Sequence, residues 1–411
     1  MTKTGTMLSS TAEAPQFQIR PVEPVVVEAP TGNRIEIKYS ENEPLGIYGT
    51  HAYWGLRIPT AEILLRLNEM LKPEYSFQSQ GFEAIHAYQE GLSEQDAENW
   101  EIQAAVKNIK TLSERSGIPL DRIGLFAFAC GTPIGDDNAA MMAYEAGIPL
   151  SRPRFEVNRA CSSGARAHAK IDELVEAYPE LAKEYVLLVA HEGMRRLLRS
   201  PFDTDRADPF SLSVFGNATA AMIYQPKNMR RIVSLTDQLE DEKGYLSATE
   251  TYTTDKSPGA PLVQVSADGM KERIRLPTPP SGMKVRLKPI HATHAMGKFG
   301  GAGVRELIDL HDRIVYDPDS RFERRPIDLI IAHQPSAGLL IKIGREAGID
   351  EALMPFLGRN GIDGNSSGAT SIAAITKFIP EFRRGMHIAH VALGAGMDLS
   401  ATASEMGDAI R

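Results

Sequence analysis

Apolar positions along this chain fall into two patterns. Short uninterrupted apolar runs at 123–129, 185–190, 219–225 and 329–332 have the length of strands buried on both faces. Between them lie stretches with apolar residues at helical spacing. Trp100, Ile102, Val106, Ile109 and Leu112 predict a long helix that begins after Ser93 and stops at Gly117. A second helix is predicted from about 137 to 146, closed by Gly147. A third keeps Ala167, Ile171, Leu174, Val175 and Tyr178 on one face until Pro179 ends it. Further helices are expected at 337–347 and at 371–379, where Ile372, Ile375, Phe378 and Ile379 supply the apolar face. Strands are expected at 46–50, 231–235, 387–393 and 399–403.

Strands alternating with helices predict an α/β protein. The alternation divides the chain into 44–229 and 230–411, two related halves, although no sequence repeat is obvious by eye. Residues 1–43 are rich in Thr, Glu and Pro and read as an N-terminal extension outside the core. The stretch from Glu240 to Pro280, with Pro258, Pro261, Pro277, Pro279 and Pro280, is too long for an ordinary loop and is a candidate cover or entrance wall.

Composition narrows the function classes. A chain of 411 residues, 42% hydrophobic and 24% charged, suits a soluble protein with large cores. A net charge of -8 argues against general nucleic-acid binding. The two cysteines, Cys130 and Cys161, allow no disulfide framework and point to a reducing cytoplasm. The first 43 residues hold no apolar signal segment, and no apolar run reaches membrane-span length.

Cys161 is the first candidate for chemistry. It lies where the strand-like run Arg154-Phe155-Glu156-Val157 meets a helix-like run from Ser162. A helix N-terminus favours thiolate over thiol, and the small neighbours Ala160, Ser162, Ser163 and Gly164 leave room at the sulfur. Taken alone, a small buried cysteine at a tight turn fits equally well. His333 follows the apolar strand 329–332, at the carboxyl end where α/β proteins place reactive groups. Asn365 sits in a Gly-rich loop before the 371–379 helix, where a helix cap or turn is the simpler reading.

Five segments in order resemble the thiolase superfamily, and within it the ketoacyl synthase III branch of condensing enzymes. Val157-Asn158-Arg159-Ala160-Cys161-Ser162-Ser163-Gly164 resembles the nucleophile segment. Ser213-Val214-Phe215-Gly216-Asn217-Ala218-Thr219-Ala220-Ala221 resembles the Phe-Gly-Asp-Gly-Ala-Gly-Ala strand. Ala332-His333-Gln334-Pro335-Ser336 resembles the His-Gln-Ala-Asn turn, and the segment from Gly364 to Ser371 resembles the Gly-Asn-Thr-Ser loop. Ala392-Leu393-Gly394-Ala395-Gly396-Met397 falls where the family keeps a Gly-rich hairpin.

The resemblance implies a five-layer αβαβα sandwich of two similar halves and a homodimer. It implies that Cys161 accepts an acyl group from a coenzyme A or acyl-carrier-protein thioester, with no other cofactor. The backbone N–H groups of Cys161 and Gly396 would form the oxyanion hole. His333 and Asn365 would donate to the carbonyl of a second, malonyl or β-ketoacyl, thioester. Arg206, in Thr204-Asp205-Arg206, resembles the family's Asp-Arg near the phosphate end of the pantetheine arm; the cluster Arg195, Arg196, Arg199 and Arg206 otherwise reads as a solvated helix face.

The chain also departs from the family. Residues 75–88 lack the Thr-Gly-Ile-x-x-Arg-Arg pattern of the fatty-acid-initiating enzymes, which points to a specialised biosynthetic role. Asp136 and Asp137 lie in a region where, in some non-decarboxylating relatives of the resembled family, an acid acts as a base, but capping of the following helix is the expected role. Other residues are read without chemistry. His291 and His294 lack a third metal ligand, and His387 and His390 point to opposite faces of a strand. His191-Glu192 reads as a strand-to-loop turn, and Cys130 as inert. Two alternatives remain on the same fold: an acyltransferase serving an oxygen or nitrogen acceptor, and a non-catalytic partner subunit. A papain-type hydrolase lacks its Cys-Gly-x-Cys-Trp setting here.

Overall fold

The computed structural model describes residues 25–28, 34–42, 45–70, 80–88, 92–134, 137–198, 209–238, 262–266, 269–273, 327–359, 361–394 and 398–407. In chain order the strands are β1 (Val25–Glu28), β2 (Arg34–Asn42), β3 (Ile47–Pro59), β4 (Ala84–Ala87), β5 (Ile123–Cys130), β6 (Arg154–Val157), β7 (Tyr185–Gly193), β8 (Asn217–Tyr224), β9 (Met229–Gln238), β10 (Leu262–Ser266), β11 (Gly269–Arg273), β12 (Leu329–Ala332), β13 (His387–Gly394) and β14 (Asp398–Met406). The helices are α1 (Thr60–Met70), α2 (Glu94–Ser116), α3 (Asn138–Ala146), α4 (Ser163–Ala177), α5 (Met194–Leu198), α6 (Pro209–Val214), α7 (Ala337–Glu346) and α8 (Ser367–Phe378).

Two mixed sheets carry the molecule. The first has the order β1-β2-β3-β8-β7-β5-β6, with β4 added alongside β3. Its β6-β5-β7 part is parallel, and β8 and β3 are antiparallel to their neighbours. The second has the order β12-β13-β14-β9, parallel only between β12 and β13.

Strand alternation sets the layers. In β5, Leu125, Ala127 and Ala129 face an inner core with α4 and α8, while Phe126, Phe128 and Cys130 face an outer core with α2 and α3. In β12, Leu329 and Ile331 belong to the same inner core, while Ile330 and Ala332 pack outward with Leu340 and Ile343 of α7. Helices α4 and α8 therefore lie between the sheets, with helices outside each sheet, giving the αβαβα sandwich. Burial on both faces explains why these strands read as unbroken apolar runs. Each fully buried Phe or Leu contributes roughly 1.5–3 kcal/mol to that packing.

Most expected elements are present within a few residues. Ser93 caps α2, its hydroxyl accepting from Asp96 N–H at 3.1 Å, and Gly117 closes it in the left-handed conformation. Asp137 caps α3 by accepting from Ala140 N–H at 3.0 Å, the capping role expected of it. Three expectations are corrected. The expected N-terminal extension becomes sheet from Val25: β1 pairs with β2, β2 pairs along β3, and Ile35 and Ile37 lie in the core. Its Ile-Glu-Ile-Lys-Tyr alternation outweighs the Thr, Glu and Pro composition around it. His191 and Glu192 do not form a turn but continue β7, both fully buried. Helix α8 begins at Ser367, four residues earlier than its apolar face indicates, because its first turn is made of small residues. Of the 240–280 stretch only the antiparallel pair β10–β11 is described; the expected cover otherwise lies outside the described residues.

Candidate active site

Cys161 is delivered by a short turn, Ala160–Ser162, between β6 and α4. Ala160 has a φ of 45°, a left-handed conformation costing roughly 1 kcal/mol in a non-glycine residue. The turn is closed locally: the Ser163 hydroxyl accepts from Arg159 N–H and donates to Ala160 C=O, both at 2.7 Å. Cys161 is half-buried and is not in a disulfide.

Asn365 is fixed from both sides. Its N–H donates to Val214 C=O at 2.8 Å, and its C=O accepts from Gly216 N–H at 3.2 Å. Its side-chain Oδ1 accepts from Ser367 N–H at 2.9 Å. A backbone N–H only donates, so this bond sets the amide orientation and leaves Nδ2 as the outward donor. Two residues earlier, Asp363 receives Arg57 (Nε at 2.9 Å, Nη2 at 3.3 Å) and His86 Nε2 at 3.1 Å. Burial alone would raise the Asp363 carboxyl; His86 and Arg57 outweigh it and hold the group well below the usual range.

His333 follows β12 directly, its N–H donating to Val391 C=O at 2.8 Å as if the strand continued. Gln334 staples the turn, with Nε2 donating to Ala332 C=O at 2.9 Å and Oε1 accepting from Leu357 N–H at 2.7 Å. Ser336 caps α7. Burial lowers the His333 pKa to about 4, against a smaller opposing contribution from its hydrogen bond to the Ser367 backbone. The ring is therefore neutral at physiological pH.

These three residues meet at Ser367. Its hydroxyl donates to Cys161 Sγ at 3.4 Å, its N–H donates to Asn365 Oδ1, and its backbone bonds the His333 ring. Ser367 itself has a φ of 48°, so a strained backbone sits at the hub.

Glu192 is a residue the sequence reading missed. Fully buried at the end of β7, it accepts from Gly131 N–H at 2.7 Å and Gly368 N–H at 3.2 Å through Oε1. Its Oε2 accepts from the Thr132 hydroxyl at 3.1 Å. Burial raises its pKa to about 8, against smaller lowering contributions from Gly131, Thr132, Gly368 and Ser367. The available signal was its place on an otherwise apolar strand, because a carboxyl buried there needs several partners.

The remaining candidates fall outside this group. Gly396 and Arg206 lie outside the described residues, as do Asp136, Arg199, His291 and His294. Arg195 and Arg196 do not form a solvated face: both are buried, and Arg196 pairs with Glu101 at 3.1 Å and donates to Thr132 C=O at 2.8 Å. They are basic because a buried carboxylate and backbone carbonyls require donors there. Cys130 is buried, and burial pushes its thiol well up, against nucleophilic use. His390 meets His168 (Nδ1 to Nδ1, 3.3 Å) while His387 approaches Glu405, so the pair diverges as expected. Among the described residues no group of three His, Cys, Asp or Glu side chains is arranged to hold a metal ion.

No protein-family model matches the chain, and no curated protein matches it. Solved structures do. The type III polyketide synthase 1,3,6,8-tetrahydroxynaphthalene synthase of Streptomyces coelicolor A3(2) is 14% identical with a TM-score of 0.62, the match covering 91% of this chain and 99% of that one. A β-ketoacyl-acyl carrier protein synthase III of Thermus thermophilus is 17% identical with a TM-score of 0.59, over 91% and 98%. OleA of Xanthomonas campestris is 14% identical with a TM-score of 0.59, over 88% and 97%. Likeness at these identities is likeness of fold, and it agrees with the layers and strand orders above. The chain has the thiolase fold, in the form taken by these condensing enzymes.

Proposed function

We propose that the protein is a condensing enzyme of the ketoacyl synthase III type. It takes an acyl group from a coenzyme A or carrier-protein thioester onto Cys161 and joins it to a second, malonyl or β-ketoacyl, thioester. The observation that carries this reading is the convergence of Cys161, His333 and Asn365 on Ser367.

In the first half-reaction Cys161 Sγ attacks the thioester carbonyl, and the carrier thiol leaves as the acyl group passes to sulfur. The proposed oxyanion donors are the N–H groups of Cys161 and Gly396. In the second, loss of carbon dioxide from a malonyl unit, or of a proton from a β-ketoacyl unit, places an electron pair on the enolate. Asn365 Nδ2 donates a hydrogen bond to the enolate oxygen, joined by the single N–H of neutral His333 once it turns from the Ser367 carbonyl. Burial of His333 serves this role because a neutral imidazole keeps one N–H while adding no buried charge. The enolate carbon attacks the acyl carbonyl, and Cys161 leaves as thiolate. Asn365 favours condensation over simple transfer, since transfer forms no enolate. Arg206 is proposed to meet the phosphate end of the carrier arm, and the enzyme to work as a homodimer.

The test is intact-protein mass after exposure to a panel of acyl-coenzyme A and acyl-carrier thioesters, beside Cys161→Ala. A mass increment absent from the variant, discharged by a malonyl or β-ketoacyl thioester with release of a β-keto product, is the expected result. An acyl increment discharged only by alcohols or amines would replace condensation with transfer.

A further inference from the structure

The loop that carries Asn365 has a cationic cluster behind it that takes no part in the proposed reaction. Two lysines from distant elements converge there: Lys38 on β2 and Lys377 in the last turn of α8. A Cβ on Gly361 would lie 2.8 Å from Lys377 Nζ and 3.5 Å from Lys38 Nζ, so both amines border the notch that this glycine leaves open. Gly361 has a φ of 88°, a conformation that favours glycine. The C-terminal end of α8 attracts a cation, which accounts for Lys377 but not for a second amine brought from another strand. Lys38 is oriented by Gly361 C=O at 3.5 Å and by the Tyr53 ring, whose centroid lies 5.3 Å from Nζ.

Nearby carboxylates do not balance this pair. Asp363 is taken up by Arg57 and His86, and Glu36, at 3.8 Å, matches Lys38 only. Among the described residues Lys377 has neither a hydrogen bond nor an ion pair. Burial, and after it the charge of Lys38, lowers its pKa to about 8. Buried His51, paired across the strands from Lys38, adds a second imbalance. Its Nδ1 meets Thr376 Oγ1 at 3.3 Å, and that hydroxyl already donates to Ala373 C=O at 2.9 Å. A hydroxyl has one hydrogen, so Nδ1 is the donor and Nε2 is a bare acceptor. Among the described residues nothing donates to Nε2. The charges that act on this ring are those of Lys38, Lys377 and Asp363. One uncompensated cation, a second amine beside it and a bare acceptor thus share one corner of the fold.

We propose that the notch at Gly361 binds a small, singly charged oxyanion that keeps an O–H group, dihydrogen phosphate or bicarbonate. Its charged oxygens bridge Lys38 and Lys377, and its O–H donates to His51 Nε2. A water molecule would satisfy His51 but leave Lys377 without a counter-charge. Sulfate carries no proton at neutral pH and would set a lone pair against Nε2. Occupancy ties β2 and the end of α8 to Gly361, in the segment that leads to Asn365, and so holds that loop from outside the site. The binding is independent of the reading of Cys161 as nucleophile.

The test is isothermal titration calorimetry of the full chain with inorganic phosphate near pH 7, at constant ionic strength with chloride as the background anion. Saturable one-to-one binding is expected, with sulfate roughly tenfold weaker for want of the O–H. Bicarbonate is titrated beside phosphate, and the tighter of the two identifies the ligand. Lys377→Met and Lys38→Gln should each weaken binding about 10–100-fold, the usual loss of one charged hydrogen bond. Unfolding midpoints in chloride show that both variants fold, and the comparison of phosphate with sulfate on the wild type needs no variant at all. Hydrogen exchange should slow at 361–366 when phosphate is added. No saturable binding of either oxyanion, sulfate bound as tightly as phosphate, or unchanged affinity in both lysine variants overturns the proposal.

Discussion

The two loop-to-helix junctions that form the site share a local sequence and use it differently. Cys161-Ser162-Ser163-Gly164-Ala165 opens α4, and Asn365-Ser366-Ser367-Gly368-Ala369 opens α8. The two helices cross at the matching glycines: a Cβ on Gly164 would lie 2.5 Å from Gly368 C=O. In the first junction the strained residue is Ala160 and the second serine, Ser163, closes its own turn. In the second the strain falls on Ser367, and that serine turns across to Cys161 of the other junction. The first is held by bonds within five residues. The second is held from a distance, by Arg57 and His86 on Asp363, and by Val214 and Gly216 on Asn365. Local closure suits the proposed nucleophile, which must sit at one point. Remote anchoring suits a donor whose orientation depends on the other half.

The largest expected effect separates the two roles. Cys161→Ala should abolish acyl labelling, while Asn365→Ala should label normally and lose condensation by about 10²–10³-fold, the usual effect of removing one oxyanion donor. Mass labelling and product assay on the same samples check both. The next contrast is in stability. Asp363→Ala leaves Arg57 and His86 without their carboxylate and should cost about 3 kcal/mol, whereas Ser163→Ala, losing a local turn bond, should cost about 1 kcal/mol. Urea unfolding of both variants measures the difference; equal costs would undo the distinction between local and remote anchoring.

A pH effect of similar size arises from buried histidines on both sides of the site. His333 beside the second junction and His168 in α4 are each lowered to about 4 by burial, from the ordinary 6.5. Between these values the unfolded chain binds more protons, so their contribution is complete above 6.5 and is lost as pH falls toward 4. Each is worth on the order of 3 kcal/mol. Unfolding midpoints measured across that window should fall with pH, and His333→Gln should flatten the slope. The smallest effect concerns backbone strain. Ala160→Gly should be neutral or stabilise by up to about 1 kcal/mol, since glycine accepts a φ of 45°. Ser367→Gly gains the same relief but removes the hydroxyl at Cys161, so activity should fall although stability does not.

Much of this was legible from residue patterns. The double-faced strands, the Ser93 and Gly117 boundaries and the placement of Cys161, His333 and Asn365 at junctions all follow from local periodicity and capping chemistry. What local reading missed depends on distant partners. Arg196 looked solvated because its carboxylate, Glu101, lies 95 positions away. Glu192 looked like part of a turn because its four partners come from the loop after β5 and the start of α8. Residues 34–42 looked peripheral because the strand that covers them, β3, follows in sequence. The repeated Ser-Ser-Gly-Ala was present to be seen, but only the crossing of α4 and α8 gives it meaning.

The contact between Ser367 and Cys161 spans 206 positions of chain. Contacts of that separation are among the last to form, since closing so long a loop must precede any reward from the contact. A nascent or half-assembled chain therefore carries Cys161 as an ordinary cysteine, without its hydroxyl neighbour. The nucleophilic character proposed for Cys161 would then be complete only with the docking of α8 against α4, and the chemistry of this sulfur would report completion of the fold.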